Sequence, residues 1–355
     1  MRTALSLVHR WLGGLVGLGL AILGLSGALL LWKPWWVAVD LTSRAATNAE
    51  TLAIIKTAQS LGAGHVTLPS PEFGVAMAGL PGGGGAYIAH DGGLITRWSS
   101  VWDRTETLLF DLHHHLLMGH DGEIISGWLG LAAILFAISG CILWWPTRRT
   151  FQWRALPARL TRPAILRHHR DLGVVLALPI LFSAATGALI VLKPLAETIL
   201  GPLSAAEAVA EWQASPPEPA EMTAPNWPAL LATAQQQVPD GEARIIVWPR
   251  ANGGAVQLRL RRPAEWHPNG RTTLWLAGNG TLLMARDAQR APLAVKAQNA
   301  LYPLHATRLS GSPLTSPLRV ILTVAGIGLA LMGSLAVASF WTGFKTGNKR
   351  RHRAA

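Results

Sequence analysis

Four stretches of the chain, 12–32, 125–145, 172–192 and 320–341, are apolar and carry no charged residue. Each has 21 or 22 residues, which at about 1.5 Å of helix rise per residue suits a hydrocarbon core roughly 30 Å thick. The pattern predicts four membrane-spanning helices. Between them lie a short Arg-rich loop and two long polar segments with shorter hydrophobic periods. In the first segment, 47–62 has helical spacing and 87–95 reads as a hairpin turning at Asp91-Gly92-Gly93. The second repeats the plan, with a helix near 226–238, a strand over 255–261 and a hairpin around Gly278-Asn279-Gly280. Each long segment is therefore expected to be a small α+β domain, one helix on a small antiparallel sheet. The Pro-rich run 215–219 reads as an extended linker. The Gly run 82–85 lacks the strand-Gly-helix context of a nucleotide fingerprint and reads as a flexible hairpin.

Only 14% of the 355 residues are charged and 50% are hydrophobic, which agrees with a membrane protein. The formal net charge of +12 could signal nucleic acid, but its distribution argues otherwise. The N-terminus, the 146–171 loop and the C-terminal tail hold 14 Lys and Arg against one acid, Asp171. The two long segments nearly cancel, at −4 and +3. The positive-inside rule then puts both termini and the short loop in the cytoplasm and both long segments outside. Trp32, Trp35 and Trp36 at one level and Trp144, Trp145 and Trp341 at the other fit aromatic belts. The first span is expected to remain as an anchor, because it ends in Trp32-Lys33-Pro34 and not in a small-residue cleavage site. The divisions are thus 1–33, 125–145, 172–192 and 320–341 for the helices, 34–124 and 193–319 for the outward segments, 146–171 for the loop and 342–355 for the tail.

At a constant offset of 160, His9-Arg10-x-Leu12-Gly13 matches His169-Arg170-x-Leu172-Gly173, and Lys33-Pro34 matches Lys193-Pro194. Ten of 26 positions are identical without a gap, polar residues among them. A second match precedes the even-numbered spans: Leu112-His113-x-x-x-Leu117-x-Gly119 against Leu304-His305-x-x-x-Leu309-x-Gly311. The chain reads as two pseudo-symmetric halves, with functional sites between them.

The histidines separate by membrane side. His9 and His169 begin the first and third spans, whereas His113 and His305 precede the second and fourth. Facing imidazoles at one level can supply both axial ligands of a haem iron, so the spacing predicts two b-type haems, one per pair. The single Cys, Cys141, excludes covalent haem attachment through C-x-x-C-H. His114, His115 and His168 are alternates, because adjacent positions on a helix point about 100° apart and only one can face a haem. His120 is a further ligand or supporting donor, while His65, His90, His267 and His352 read as surface residues. Gly13, Gly14, Gly17 and Gly24 could clear space for a macrocycle or simply pack helices. Arg10 and Arg170 are candidate partners for haem propionates, and Lys33, Lys193 and Arg308 weaker ones. Arg259 and Arg261 share one face of a strand and could form a substrate surface.

These motifs, the His-Arg-Trp-Leu-Gly opening, Asp111-Leu112-His113, His169-Arg170-x-Leu172-Gly173 and Pro303-Leu304-His305, resemble the PepSY-associated transmembrane family along nearly the whole chain. That family includes inner-membrane ferric-siderophore reductases of Gram-negative bacteria. The resemblance implies a mainly α membrane protein with two PepSY-like periplasmic domains, two His-bound haems and reduction of Fe(III) chelates in the periplasm. The triple His at 113–115 and His168 before His169 depart from its usual pattern. With no nucleotide fingerprint, the electron donor would be a separate protein or a quinol. Two other functions fit the same features: electron delivery to another periplasmic acceptor or quinone, and a non-enzymatic binding or regulatory role for the outer domains. Cation transport fits poorly, since the spans carry no acidic residue at mid-depth.

Overall fold

In the computed structural model of the protein, each apolar stretch forms the body of a longer helix. The structure describes residues 2–37, 43–221, 223–249 and 254–351, with side chains as far as 342. In chain order the elements are α1 (Arg2–Leu30), α2 (Lys33–Trp36), α3 (Asn48–Ser60), β1 (His65–Thr67), β2 (Ala76–Gly79), β3 (Gly85–Ile88), β4 (Leu94–Trp98), α4 (Thr105–His115), α5 (Gly119–Trp144), α6 (Arg162–Val191), α7 (Lys193–Leu200) and α8 (Ala206–Gln213). They continue with α9 (Trp227–Gln237), β5 (Glu242–Val247), β6 (Val256–Arg261), β7 (Thr272–Leu276), β8 (Leu282–Arg286), α10 (Leu293–His305) and α11 (Thr315–Arg351). The helices α1, α5, α6 and α11 are long and apolar enough to cross a membrane. At most 39% of the apolar window of any of them is buried, so their outer surfaces, with Leu15, Leu18, Leu135, Leu178 and Val324 exposed, suit lipid and not water.

Inside the bundle, Leu20, Leu129, Leu172, Leu176, Ile180 and Met332 form a shared core from all four helices. The closest approach is between α1 and α11. A Cβ on Gly24 would lie 2.6 Å from the Gly326 carbonyl oxygen, and one on Gly326 2.6 Å from that of Gly24. Gly17 meets Gly333 in the same way, and Gly14 lies against the Phe340 ring. This decides between the two roles open to these glycines: Gly14, Gly17 and Gly24 let helices touch and do not clear space for a macrocycle, while Gly13 has open space beside it.

The strands form one sheet in the order β4-β3-β2-β1-β5-β6-β7-β8, every neighbouring pair antiparallel. Among the described residues each long segment supplies four strands, and the two sets join at β1 and β5, with Val66 opposite Ile246. The predicted helices and hairpins are present as α3, α9, β3–β4 and β7–β8, and the predicted strand as β6. The continuity of the two sets is not visible in the hydrophobic pattern. Ile54 and Ile55 of α3 and Leu230 and Leu231 of α9 cover one face of the sheet, packed on Val66, Ile88, Ile246, Leu258 and Leu274. Side chains alternate along a strand, so Tyr87, Arg259 and Trp275 occupy the opposite face.

That opposite face meets α4 and α10. The Tyr87 hydroxyl donates to Glu106 of α4 at 3.0 Å, and Val295 and Asn299 of α10 line a cavity with Arg259. In turn α4 rests against α1 and α10 against α6. Each of these short helices stops near its histidine in a left-handed turn: Leu116 and Leu117 have φ of 50° and 60°, and Thr307 has 50°. The repeat-related Gly119 and Gly311 follow with φ of 60° and 73°, a conformation that glycine adopts without a Cβ clash.

Candidate functional site

The structure brings the four repeat-related histidines together as two pairs. At the sheet end of the bundle, the His113 and His305 rings lie 6.1 Å apart between centroids, inclined by 32°. The His113 Nδ1–H donates to the Leu23 carbonyl at 3.1 Å and shares its proton with Ser26 Oγ at 3.1 Å, whose own proton goes to Ile22 O. The His305 Nδ1–H donates to the Ser183 carbonyl at 3.0 Å and lies 3.2 Å from Thr186 Oγ1. Leu23 and Ser183, and Ser26 and Thr186, are themselves related by the offset of 160. A carbonyl can only accept, so each Nδ1 carries the proton and each Nε2 keeps a free lone pair. Gly27 and Gly187, another related pair, lie flat against these rings: a Cβ on either would stand 2.8 Å from the adjacent Cε1.

At the basic end, His9 and His169 have centroids 6.3 Å apart and rings inclined by 82°. His9 packs edge-on to Phe136 at 5.1 Å, and its Nδ1 lies 2.8 Å from Ser139 Oγ. Ser139 donates to Leu135 O, so its oxygen accepts from His9, which again frees Nε2. Among the described residues the buried His169 Nδ1 has no partner in hydrogen-bonding geometry, and the ring interacts with the Met332 backbone. His9 lies about 16 residues before the part of α1 that touches His113, which at 1.5 Å per residue separates the levels by roughly 24 Å.

These distances fit a metal held between two imidazoles. A metal–nitrogen bond of about 2.0 Å, plus roughly 1.1 Å from that nitrogen to the ring centre, would let two imidazoles share one ion with their centroids up to about 6.2 Å apart. Direct hydrogen bonding between the rings is unavailable to His113 and His305, whose Nδ1 protons are already committed and whose Nε2 atoms both accept. The donor set, two neutral imidazoles per level, suits haem iron. Ser26, Thr186 and Ser139 escaped the sequence reading, although the first two are hydroxyls at equivalent positions of the repeat and could have been found there.

The alternates point elsewhere. His114 and His115 bond to each other at 3.0 Å, and His115 holds Asp111 at 2.8 Å. His168 reaches the loop, with Nε2 3.1 Å from Ala155 O. His120 is 80% exposed beside Glu123. Arg170 is occupied on both edges by Asp171 and Thr150, so it anchors the loop where a propionate partner was expected. Arg10 remains exposed at the basic end. Arg308 is paired with Glu72 at 2.8 Å, Lys33 lies over Phe73, and Lys193 is exposed. Of the histidines expected at the surface, His65 is exposed and His90 half-buried. His267 is a correction: it is buried, stacked on Tyr302, and burial with nearby arginines pushes it down to about 2. His352 lies outside the described residues.

Among curated proteins no match of significance exists for this chain. Residues 6–342 match the family described as the PepSY-associated TM region. With nearly its full length matched, four apolar helices in place and the motif histidines converging in pairs, the chain belongs to the PepSY-associated transmembrane family.

Proposed function

We propose that the protein is a di-haem reductase of the bacterial inner membrane that passes electrons to ferric siderophores in the periplasm. The observation that carries this is the convergence of His9 with His169 and of His113 with His305, at spacings that fit an iron between each pair. In this reading the two halves are pseudo-symmetric, both termini are cytoplasmic, and the sheet with α3 and α9 comprises two PepSY-like domains. Haem bound at each level would supply a one-electron carrier. The chain's part is to hold the His113, His305 and His9 imidazoles in one tautomer, through Leu23, Ser183 and Ser139, to set His169 opposite His9, and to exclude water from all four with apolar helices. Two levels are needed because the core they cross is roughly 30 Å thick. One electron converts chelated Fe(III) to Fe(II), which hard oxygen donors hold far less tightly, so the metal is released. The donor is a cytoplasmic or membrane reductant.

The experiment is an absorption spectrum of the purified protein, oxidised and then reduced with dithionite. A bis-imidazole Soret and α band with two haems per chain is expected. His9→Ala should remove one haem and His113→Ala the other. Absence of any haem band defeats the reading, as does reoxidation of the reduced protein by ferric siderophore no faster than by its redox-inert gallium analogue.

A further inference from the structure

The two sets of strands present different surfaces to α4 and α10. On the first, Tyr87, Trp98, Val75 and Val37 pack into a closed apolar cluster. On the second the corresponding space is open, a cavity of about 180 Å³ between β6, β7 and α10. Arg259, Arg271 and Arg286 line it, with Trp212 and Trp275 as aromatic walls and Asn299 on the α10 side. The Nε atoms of Arg259 and Arg271 are buried without a hydrogen-bond partner. Among the described residues no carboxylate lines the cavity. The carboxylate whose charge acts on both arginines, Glu265, is committed to the backbone N–H of Arg262 and of Arg271 and to the Thr272 hydroxyl. Arg286 lies over the Trp275 ring at 4.7 Å. Burial lowers Arg259 and pushes Arg271 down to about 10, still cationic at neutral pH.

Buried guanidinium groups with free donors are costly unless an anion completes them, and their planar fork matches a carboxylate in bidentate geometry. Position adds a second argument. Asn299 precedes His305 by six residues on α10, or roughly 9 Å of helix, so the cavity lies one short helix away from the sheet-end histidine pair.

We propose that this cavity binds the carboxylate groups of an anionic ferric chelate and so selects polycarboxylate chelates over neutral or cationic ones. The inference rests on the reductase reading for the identity of the chelate, whereas its test reads binding alone. The full-length protein in detergent is titrated calorimetrically with gallium(III) citrate, which cannot be reduced, at low ionic strength. Saturable binding is expected, weakened at least tenfold in R259Q/R271Q and also in N299D, which puts a carboxylate of nearly equal size into the cavity that the two arginines line. N299D should in addition raise the melting temperature, so its loss of binding would not be a folding defect. A neutral gallium trihydroxamate should bind no more tightly to wild type than to the variants. The proposal is overturned if gallium citrate does not bind, if both variants bind it as wild type does, or if inorganic phosphate or anionic lipid vesicles occupy the cavity as tightly. Failure of the haem reading would show instead in the spectrum, with this titration unaffected.

Discussion

Gly27 and Gly187 offer a demanding test of the paired histidines, because each touches one ring of the same pair. A Cβ introduced at Gly27 would stand 2.8 Å from His113 Cε1, and one at Gly187 2.8 Å from His305 Cε1. Carbon atoms settle at about 3.5 Å or more, so in Gly27→Ala or Gly187→Ala the ring must retreat by roughly 0.7 Å. The Nδ1 bonds to Leu23 O and Ser183 O, 3.1 and 3.0 Å long, then stretch beyond useful hydrogen-bond range. Loss of such an outer partner weakens a metal-bound imidazole by about 10–100-fold, or roughly 1.4–2.7 kcal/mol. Haem titrated into apo-protein should therefore show one of two sites weakened by that factor, and the same site in both variants. Gly17→Ala is the control. Its Cβ would meet Gly333 O at 3.2 Å, which strains the α1–α11 contact and lowers the melting temperature without selecting a site. If G27A and G187A impair different sites, or retain wild-type affinity at both, His113 and His305 do not share a ligand.

Three further outcomes follow from single residues. Ser139→Ala removes the acceptor of the His9 Nδ1 proton, so the basic-end site should weaken by about 10–100-fold in the same titration while the sheet-end site holds; the reverse pattern would refute the assignment. Arg244 is 2% exposed and donates to Pro69 O in the first long segment and Pro268 O in the second, so Arg244→Met should destabilise the sheet by about 2–5 kcal/mol in urea followed by Trp fluorescence. An unchanged midpoint would mean that this guanidinium does not tie the segments together. His267 accepts from the Asn269 N–H at 3.1 Å and is held neutral down to about pH 2 in the fold, against about 6.5 when unfolded. A depressed basic group stabilises the fold above 6.5 and loses that contribution as pH falls, by roughly 1.4 kcal/mol per unit; His267→Gln should flatten the decline between pH 6.5 and 5, and an equal slope in both proteins would count against it.

The elements legible in the sequence were those with a long or regular hydrophobic signal. The four spans needed only length and absence of charge, and α3, α9 and the two hairpins announced themselves by periodicity and by Asp-Gly-Gly and Asn-Gly turns. The three-residue β1 is too short to show a period, and the Ala-Gly-rich β2 carries no β-branched or aromatic residue. Their loss hid the β1–β5 seam. At the site, internal repetition did what periodicity could not: it separated His113 from His114 and His115, and His169 from His168, as candidate ligands. What escaped was any contact made through the backbone or over a glycine, since a carbonyl acceptor leaves no trace in residue type. Arg170 departs from Arg10 in its surroundings. Its place in the repeat is real, but the acid beside it, Asp171, has no counterpart at Trp11 and draws its guanidinium into the loop.

That divergence after position 170 is one instance of a broader asymmetry. Where the two halves meet the sheet-end histidine pair their contacts match: Leu23 and Ser183, Ser26 and Thr186, Gly27 and Gly187 make the same contacts to His113 and His305. Such matching is required if both imidazoles bind one metal ion in the same tautomer, because a change in one half unbalances the pair. Farther out the requirement lapses, and Tyr87 with its apolar neighbours fills in the first segment the space that Arg259 and Arg271 leave open in the second. Coupling between the segments survives in the β1–β5 seam and in the Glu72–Arg308 ion pair, 2.8 Å across the join. Matched contacts at one histidine pair beneath an unmatched outer face are what the proposed electron delivery to a single bound acceptor would need: two like arms to hold the carrier, and one cavity to decide what approaches it.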